Sequence, residues 1–212
     1  MKIFFFTPIF NFQNPNILKN HKKIIENSNH EVYYNNIIGA SVEHAKQIAY
    51  KRFLETDCDY FFNVDADIYF EEQDVNPIDK LIESKKEIIG GIYVYKKQPC
   101  FPAHRPLDLQ EYYEKNKEFP KDYIFKIPNE VHEVNWIAGG ACLISRKVIV
   151  ELTKEFMVPN LPMVYNGEYL SEDFAFCQRA REKGYKIFAD PKIQLLHFGQ
   201  YGYSLKDYKK SI

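Results

Sequence analysis

One short stretch decides the fold: Tyr60-Phe61-Phe62-Asn63-Val64-Asp65-Ala66-Asp67, in which an apolar run ends on two acids. A continuous apolar run of this length predicts a strand that is buried on both faces. Two carboxylates directly after such a strand are costly unless a cation balances them. A divalent ion bound together with a phosphate is the simplest such cation, and oxygen ligands favour magnesium or manganese. The alternative is an acidic turn, because so short a pattern also occurs by chance.

Strands and helices alternate on either side of this stretch. Before the middle of the chain we predict strands at 2–6, 31–34 and 87–95, and helices at 16–27, 41–56 and 78–84. An irregular segment follows at 96–132 and includes a short helix at 109–116. Beyond it we predict strands at 134–136, 141–144, 185–189 and 193–196 and helices at 146–156 and 171–183. A loop at 199–212 closes the sequence. This order is typical of an α/β domain with a mostly parallel central sheet flanked by helices. Ligands of such sheets bind at the carboxyl ends of the strands.

Composition excludes several classes of protein. The 212 residues include 17 Phe and 16 Tyr, enough apolar area to argue against disorder. Lys and Arg number 28 against 29 Asp and Glu, so no overall positive field attracts nucleic acid, and we expect no nucleic-acid partner. The four cysteines form no CxxC pair, which favours reduced thiols in a cytoplasmic protein. No apolar run reaches membrane-spanning length, which leaves peripheral membrane association open.

Three further segments carry candidate functional residues: Ala138-Gly139-Gly140-Ala141, Ser171-Glu172-Asp173 and Leu195-Leu196-His197-Phe198-Gly199. Paired glycines let a ligand approach the backbone, and they equally suit a bulge or tight turn. The two acids can supply a general base, although a serine cap followed by acids is also explained by helix stability alone. A histidine after an apolar strand can bind a metal, and a structural histidine is the commoner alternative.

Taken together and in this order, these segments resemble the nucleotide-sugar-dependent glycosyltransferases of the GT-A fold, near the large family 2 type. The resemblance runs from Phe4-Phe5-Phe6-Thr7-Pro8 to His197-Phe198-Gly199. Its most specific parts are 53–67, similar to the helix, strand and DxD motif; 136–146, similar to the glycine strand and the helix after it; and 171–177, similar to the acidic acceptor-side segment. It implies one GT-A domain over 1–212, with a nucleotide-binding half at 1–95 and an acceptor-side half at 96–212.

The resemblance also implies residue roles on the donor side. Asp67 would bind Mn²⁺ or Mg²⁺, Asp65 would contact the ribose or the metal, and His197 would complete the metal shell. The implied donor contacts are Thr7 and Pro8 in the turn beside the nucleobase, Lys46, Asp65, Ala66 and Asp67, and Gly139 and Gly140 near the transferred sugar. The segment Ala45-Lys46-Gln47 departs from the Ala-Arg-Asn of many relatives, and lysine lacks the planar fork of arginine.

The implied activity is transfer of a sugar, a hexose in the first place, from a nucleotide-diphosphate sugar to a hydroxyl of a glycan, glycoprotein or glycolipid. We expect a UDP-sugar as donor, Asp173 as the general base of an inverting reaction and Glu172 as the alternative base. A retaining reaction would need no base here. Two other functions stay open: a non-catalytic nucleotide-sugar or carbohydrate-binding module, and a phosphatase of the haloacid dehalogenase type, which also places DxD after a strand. Oligomeric state is left open.

Overall fold

The computed structural model describes residues 1–11, 14–97, 99–120, 123–199 and 202–209. Its strands are β1 (Lys2–Ile9), β2 (Glu31–Ile38), β3 (Tyr60–Val64), β4 (Ile68–Phe70), β5 (Ile88–Gly91), β6 (His104–Arg105), β7 (His132–Val134), β8 (Trp136–Ile137), β9 (Ala141–Ser145), β10 (Met163–Tyr165), β11 (Glu168–Leu170), β12 (Ile187–Asp190), β13 (Leu195–Phe198) and β14 (Gly202–Tyr203). Its helices are α1 (Pro15–Glu26), α2 (Val42–Leu54), α3 (Pro77–Glu83), α4 (Leu107–Asn116), α5 (Arg146–Glu155), α6 (Glu172–Glu182) and α7 (Leu205–Lys209).

Within the described ranges, the main sheet has seven strands in the order β2-β1-β3-β9-β5-β12-β7. Strands β1, β2 and β3 pair in parallel, as do β5 and β12. Strand β9 runs antiparallel between β3 and β5, and β7 runs antiparallel at the edge beside β12. The fold is therefore mixed α/β, with five strands in one direction and two in the other. Both predicted halves share this sheet, because β9 lies between β3 and β5.

The two faces of the sheet bury separate parts of the core. Side chains alternate along a strand, so Phe4 and Phe6 of β1 pack with α2, α5 and α6, whereas Phe5 packs with α1 and α3 on the other face. The same alternation in β3 sends Phe61 to the first face and Phe62 to the second. Helices on both faces leave the carboxyl ends of the strands open. This is the edge where the acidic pair was expected.

Several boundaries differ from the sequence predictions. Strand β1 continues to Ile9, so Thr7 and Pro8 lie in the strand and not in a turn. Pro8 is tolerated because β3 pairs with β1 only as far as Phe6, which leaves Pro8 a strand neighbour on one side only. Ser41 and Ser171 occupy the N-cap positions of α2 and α6 without forming a side-chain cap hydrogen bond.

A small second sheet, which sequence analysis did not predict, joins two distant parts of the chain. Strand β13 pairs antiparallel with β4 and with β14, and His197 lies opposite Ile68. His197 therefore lies inside a strand and not after one. The closing loop predicted at 199–212 contains β14 and α7; residues 200, 201 and 210–212 lie outside the described residues. Along the described parts of the chain, the helices are all too short or too polar to cross a membrane.

Candidate active site at the carboxyl end of β3

The acidic pair forms a turn between β3 and β4. The Asp65 N–H donates to the carbonyl oxygen of Gly140 at 3.0 Å, and the Asp65 carbonyl oxygen accepts from the N–H of Ile68 at 3.1 Å. These backbone bonds tie the turn to the start of β9 and to β4. Both carboxylates consequently lie at the carboxyl end of a buried strand, as the sequence predicts.

Pairing of β13 with β4 brings His197 to Asp67. The imidazole Nε2 lies 3.7 Å from Asp67 Oδ1, and Nδ1 lies 2.8 Å from the carbonyl oxygen of Val94. A carbonyl oxygen only accepts, so Nδ1 carries the hydrogen and the neutral ring presents an unprotonated Nε2 toward Asp67. This is the tautomer that a metal-binding histidine needs, with the second nitrogen held by a backbone oxygen.

Lys96 approaches the other oxygen of Asp67. Its Nζ lies 2.5 Å from Asp67 Oδ2, and both side chains are more than one-third exposed, at 37% and 38%. Burial by itself would raise the pKa of Asp67, but the contacts with His197 and Lys96 outweigh it and lower that pKa. Asp67 is therefore ionised at neutral pH, with the Lys96 ammonium beside one oxygen and the His197 imidazole near the other.

A cleft of about 380 Å³ leads to this acidic turn. It is lined by Pro8, Phe10, Asn11, Ala40, Val42, Asp65, Ala66 and Asp67. Phe10 stands at the rim with 67% of its surface exposed, so its ring is available for stacking. Pro8 and Ala66 thus line the cleft, whereas Thr7 is fully buried and does not.

Behind the turn, Lys46 forms a buried ionic cluster with the acids of α6. Only 2% of the Lys46 side chain is exposed, and its ammonium hydrogen-bonds Asp173 Oδ1 and lies 3.8 Å from Glu172 Oε1. Burial alone would lower the pKa of Lys46, but the charges of Asp173, Asp65 and Glu172 reverse the effect and raise it. Lys46 is therefore charged, and it contacts these acids instead of lining the cleft.

Gly139 and Gly140 fit this cluster closely. The Gly139 N–H donates to Asp173 Oδ2 at 2.7 Å, and a Cβ at position 139 would lie 2.4 Å from Asp173 Oδ1. The Gly140 N–H donates to the hydroxyl of Tyr93 at 3.0 Å, and a Cβ there would lie 2.6 Å from that hydroxyl. Glycine is required at both positions because a side chain would displace Asp173 or Tyr93.

Asn63 connects the acidic turn to the glycines. Its Nδ2 donates to Asp65 Oδ1 at 3.0 Å and to the Gly139 carbonyl oxygen at 2.6 Å. Its Oδ1 is buried and has no hydrogen-bond partner among the described residues. A cavity of about 20 Å³ beside Asn63 and Lys46 is large enough for one water molecule, which would satisfy this oxygen.

The charges of the site do not balance. Four carboxylates, of Asp65, Asp67, Glu172 and Asp173, face two ammonium groups. Burial, aided by the charges of Asp173 and Asp67 and opposed by Lys46, raises the pKa of Asp65 to about 6. Burial, and after it the charge of Asp173, raises the pKa of Glu172 against the opposing effect of Lys46. The excess of negative charge is what one divalent cation would neutralise.

The donor set fits a divalent cation that also binds a phosphate. Asp65 and Asp67 supply hard oxygens and His197 supplies a free Nε2, which suit Mn²⁺ or Mg²⁺. Across the described ranges, no three His, Cys, Asp or Glu side chains are close enough together to hold a metal by themselves. The protein groups would consequently need ligands from a bound molecule, as is usual for magnesium sites.

The structure brings most predicted site residues to one edge of the sheet. Pro8, Ala66, Asp65 and Asp67 line the cleft, and His197 joins Asp67. Lys46, Gly139, Gly140, Glu172 and Asp173 surround the buried cluster behind it, while Thr7 stands apart in the core. Sequence reasoning missed Asn63, Tyr93 and Lys96. A lone amide in an apolar strand is a signal for Asn63, but nothing local distinguishes Tyr93 or Lys96 from other residues of their kind.

Comparison with known proteins identifies the fold alone. No protein-family model and no curated protein matches the sequence. The crystal structure of A197 from STIV is similar, with a TM-score of 0.58 and 17% identity over 94% of this chain and 86% of that one. Apo UDP-glucose pyrophosphorylase aligns at a TM-score of 0.46 with 14% identity, over 92% of this chain and 67% of that one. A glycosyltransferase involved in glycosylation of the major capsid of PBCV-1 aligns at 0.37 with 12% identity, over 73% and 68%. The last two scores support no conclusion, and the chain shares the mixed α/β fold of A197.

Proposed function

We propose that the protein is a metal-dependent glycosyltransferase that moves a sugar from a nucleotide-diphosphate sugar, in the first place a UDP-sugar, to a carbohydrate hydroxyl. One observation carries the proposal. The cleft lined by Pro8 and Phe10 ends on Asp65 and Asp67, and the free Nε2 of His197 faces Asp67. Room for a nucleoside next to a site for a phosphate-bound cation is the arrangement that a nucleotide-diphosphate donor needs.

On the donor side, Asp67 and His197 would hold Mn²⁺ or Mg²⁺ at the diphosphate, and Asp65 would contact the ribose, or the metal through water. When bound, the cation would stabilise the charge that develops on the diphosphate leaving group. Phe10 would stack on the base at the rim, and Pro8 and Ala66 would form the walls beside it. The Gly139–Gly140 backbone, which the resemblance assigns to the transferred sugar, is packed against Asp173 and Tyr93, so it would position these side chains instead of contacting the donor directly.

On the acceptor side, the geometry favours Glu172 over Asp173 as the general base. Both oxygens of Asp173 already accept hydrogen bonds, one from Lys46 and one from Gly139. Glu172 lies farther from Lys46, and its raised pKa makes it a better proton acceptor near neutral pH. Asp173 would then position Gly139 and Lys46, which reverses the order of preference that the resemblance implies.

Two exposed aromatic rings, of Phe119 and Tyr95, support a carbohydrate acceptor. Arg105 pairs with Glu168 at 2.6 Å and lies 4.6 Å from the exposed ring of Phe119. The half-exposed ring of Tyr95 lies within electrostatic range of Arg105 and Glu172. Aromatic faces combined with a few charged groups are typical of sites for small polar ligands.

A second candidate, a nucleotide-sugar-binding module without turnover, is supported by the Lys46–Asp173 pair, which occupies the carboxylate that the resemblance assigns to catalysis.

The test begins with melting temperatures in UDP-sugars, a GDP-sugar and UDP, each with and without Mn²⁺. We expect UDP-sugars to raise the melting temperature only with Mn²⁺, because the donor diphosphate would bind through the cation. A ligand at 100 times its Kd adds about 2.7 kcal/mol to the free energy of unfolding.

Product analysis then separates the candidates. Slow release of UDP from a UDP-sugar without acceptor, accelerated by oligosaccharides, is the result expected of the transferase. Donor binding without UDP release would support the binding module instead of the transferase. Phosphate release from a phosphomonoester would favour the phosphatase instead, and absence of any Mn²⁺-dependent nucleotide binding would overturn the proposal.

A further inference from the structure

The feature that the proposed function does not absorb is Lys96, whose ammonium lies 2.5 Å from Asp67 Oδ2. Asp67 is the carboxylate at which a divalent cation would bind, and its other oxygen faces Nε2 of His197. An ammonium and a divalent cation repel each other strongly at such short range. The two cations would therefore compete for the charge of Asp67.

The Lys96 ammonium is the part of the residue that is able to move. Its backbone is fixed by neighbouring hydrogen bonds, from the Tyr95 N–H to the Phe101 carbonyl oxygen at 2.9 Å and from the Lys97 N–H to the Tyr95 carbonyl oxygen at 2.8 Å. Its stem passes over Gly199, where a Cβ would lie 3.2 Å from Lys96 Cδ. The ammonium at the end of the side chain, in contrast, belongs to an ion pair that is more than one-third exposed. Water can therefore replace its contact with Asp67 when the ammonium moves.

We propose that Lys96 is an exchangeable counter-ion, which neutralises Asp67 in the free protein and binds the donor diphosphate once a divalent cation occupies Asp67. The inference rests on the proposed function and deepens it. A diphosphate bound through the cation at Asp67 would bring negative oxygens next to the displaced ammonium, and lysine binds phosphate well as a compact charge. Lys96 would thus weaken binding of the metal alone and strengthen binding of the metal together with the nucleotide.

This double role predicts opposite changes in two affinities. Lys96→Met keeps the length of the stem and removes the charge. We expect Mn²⁺ alone to bind about threefold to fivefold more tightly, which corresponds to loss of an exposed competing ion pair. We expect UDP in saturating Mn²⁺ to bind about tenfold more weakly or worse, which corresponds to loss of a charge-assisted hydrogen bond. Titration calorimetry measures both without any turnover.

Lys97→Met is the matched control. Lys97 is the next residue, is also exposed, and its ammonium lies 5.8 Å from the Tyr95 ring. We expect both affinities of this variant to equal those of the wild type. Lys96→Gln, a second neutral variant, should repeat the opposite changes, and melting temperatures within a few degrees of the wild type would show that the variants are folded.

The outcomes separate this inference from the function on which it rests. If the wild type binds Mn²⁺ and UDP but Lys96→Met changes neither affinity, or changes both in the same direction, the inference is wrong and the proposed function stands. If the wild type binds neither Mn²⁺ nor UDP, the proposed function fails and the inference fails with it. If Lys97→Met changed the two affinities as much as Lys96→Met does, the changes would come from surface charge in general, and the inference would again be wrong.

Discussion

Two lysine–carboxylate pairs lie on the same edge of the sheet and differ mainly in their burial. The Lys46 and Asp173 side chains are 2% and 13% exposed, whereas those of Lys96 and Asp67 are 37% and 38% exposed. Lys46 is surrounded by core residues and by the carboxylates of α6, and Asp173 also accepts from the Gly139 N–H. Lys96 contacts Asp67 at the mouth of the cleft.

Burial distinguishes the pair that is fixed from the pair that can exchange. Breaking a buried pair leaves an uncompensated charge in a medium that solvates it poorly, so such a pair stays closed. An exposed pair contributes little, because water replaces either partner. We therefore interpret Lys46–Asp173 as part of the framework and Lys96–Asp67 as the place where ligands enter. The following variants test this contrast.

The largest effect is expected when the exposed carboxylate is removed. Asp67→Ala should abolish Mn²⁺-dependent binding of UDP and any sugar transfer, because the proposed metal loses its principal oxygen ligand. Unfolding free energy should change by no more than about 1 kcal/mol, as for other exposed pairs. Calorimetry and chemical denaturation measure the two quantities, with the exposed Asp74→Ala as control. Retention of Mn²⁺-dependent binding would contradict the metal assignment.

Removing the buried cation should act in the opposite way. Lys46→Met leaves Asp173 without its counter-charge beside Glu172 and Asp65, so we expect the free energy of unfolding to fall by about 3–5 kcal/mol. Lys96→Met, which removes the exposed cation, should cost less than about 1 kcal/mol. Denaturant titration of both variants measures the contrast. Equal losses would show that burial does not distinguish the two pairs.

The neighbouring acids of α6 sharpen the contrast between framework and chemistry. Glu172→Gln should lower sugar transfer at least about 100-fold, the low end for general base catalysis, with little change in melting temperature. Asp173→Asn should lower the melting temperature instead, because the buried Lys46 ammonium loses its partner. The reverse result would return the base to Asp173, and normal transfer in both variants would favour a retaining reaction that needs no base here.

The smallest effect is expected at His197. His197→Ala should weaken Mn²⁺ affinity by about tenfold, less than Asp67→Ala does, because water can replace one neutral ligand. The Lys96–Asp67 pair remains in this variant, so stability should change little. Mn²⁺ titration of His197→Ala against His44→Ala, an exposed histidine of α2, measures the difference. An affinity equal to that of the control would exclude His197 as a ligand.

Much of the fold could be predicted from local pattern. Apolar runs located β1, β3, β9 and β12, and helical spacing located α1, α2, α5 and α6 to within a few residues. The strands that were missed, β4, β6, β10, β11 and β14, have two or three residues each, too few for a period to show. The resemblance implies a turn at Thr7 and Pro8, but β1 continues through both residues past the point where its pairing with β3 stops.

Local pattern is enough to identify the groups of the site: acids after a buried strand, paired glycines, and a histidine late in the sequence. Which of these groups pair with one another depends on contacts between remote parts of the chain. The β4–β13 register sets His197 beside Asp67, and packing of α2 against the sheet directs Lys46 to Asp173, 127 residues away. The physical reason is that an ion pair depends on distance and burial, which arise from contacts between remote segments and leave no local period in the sequence.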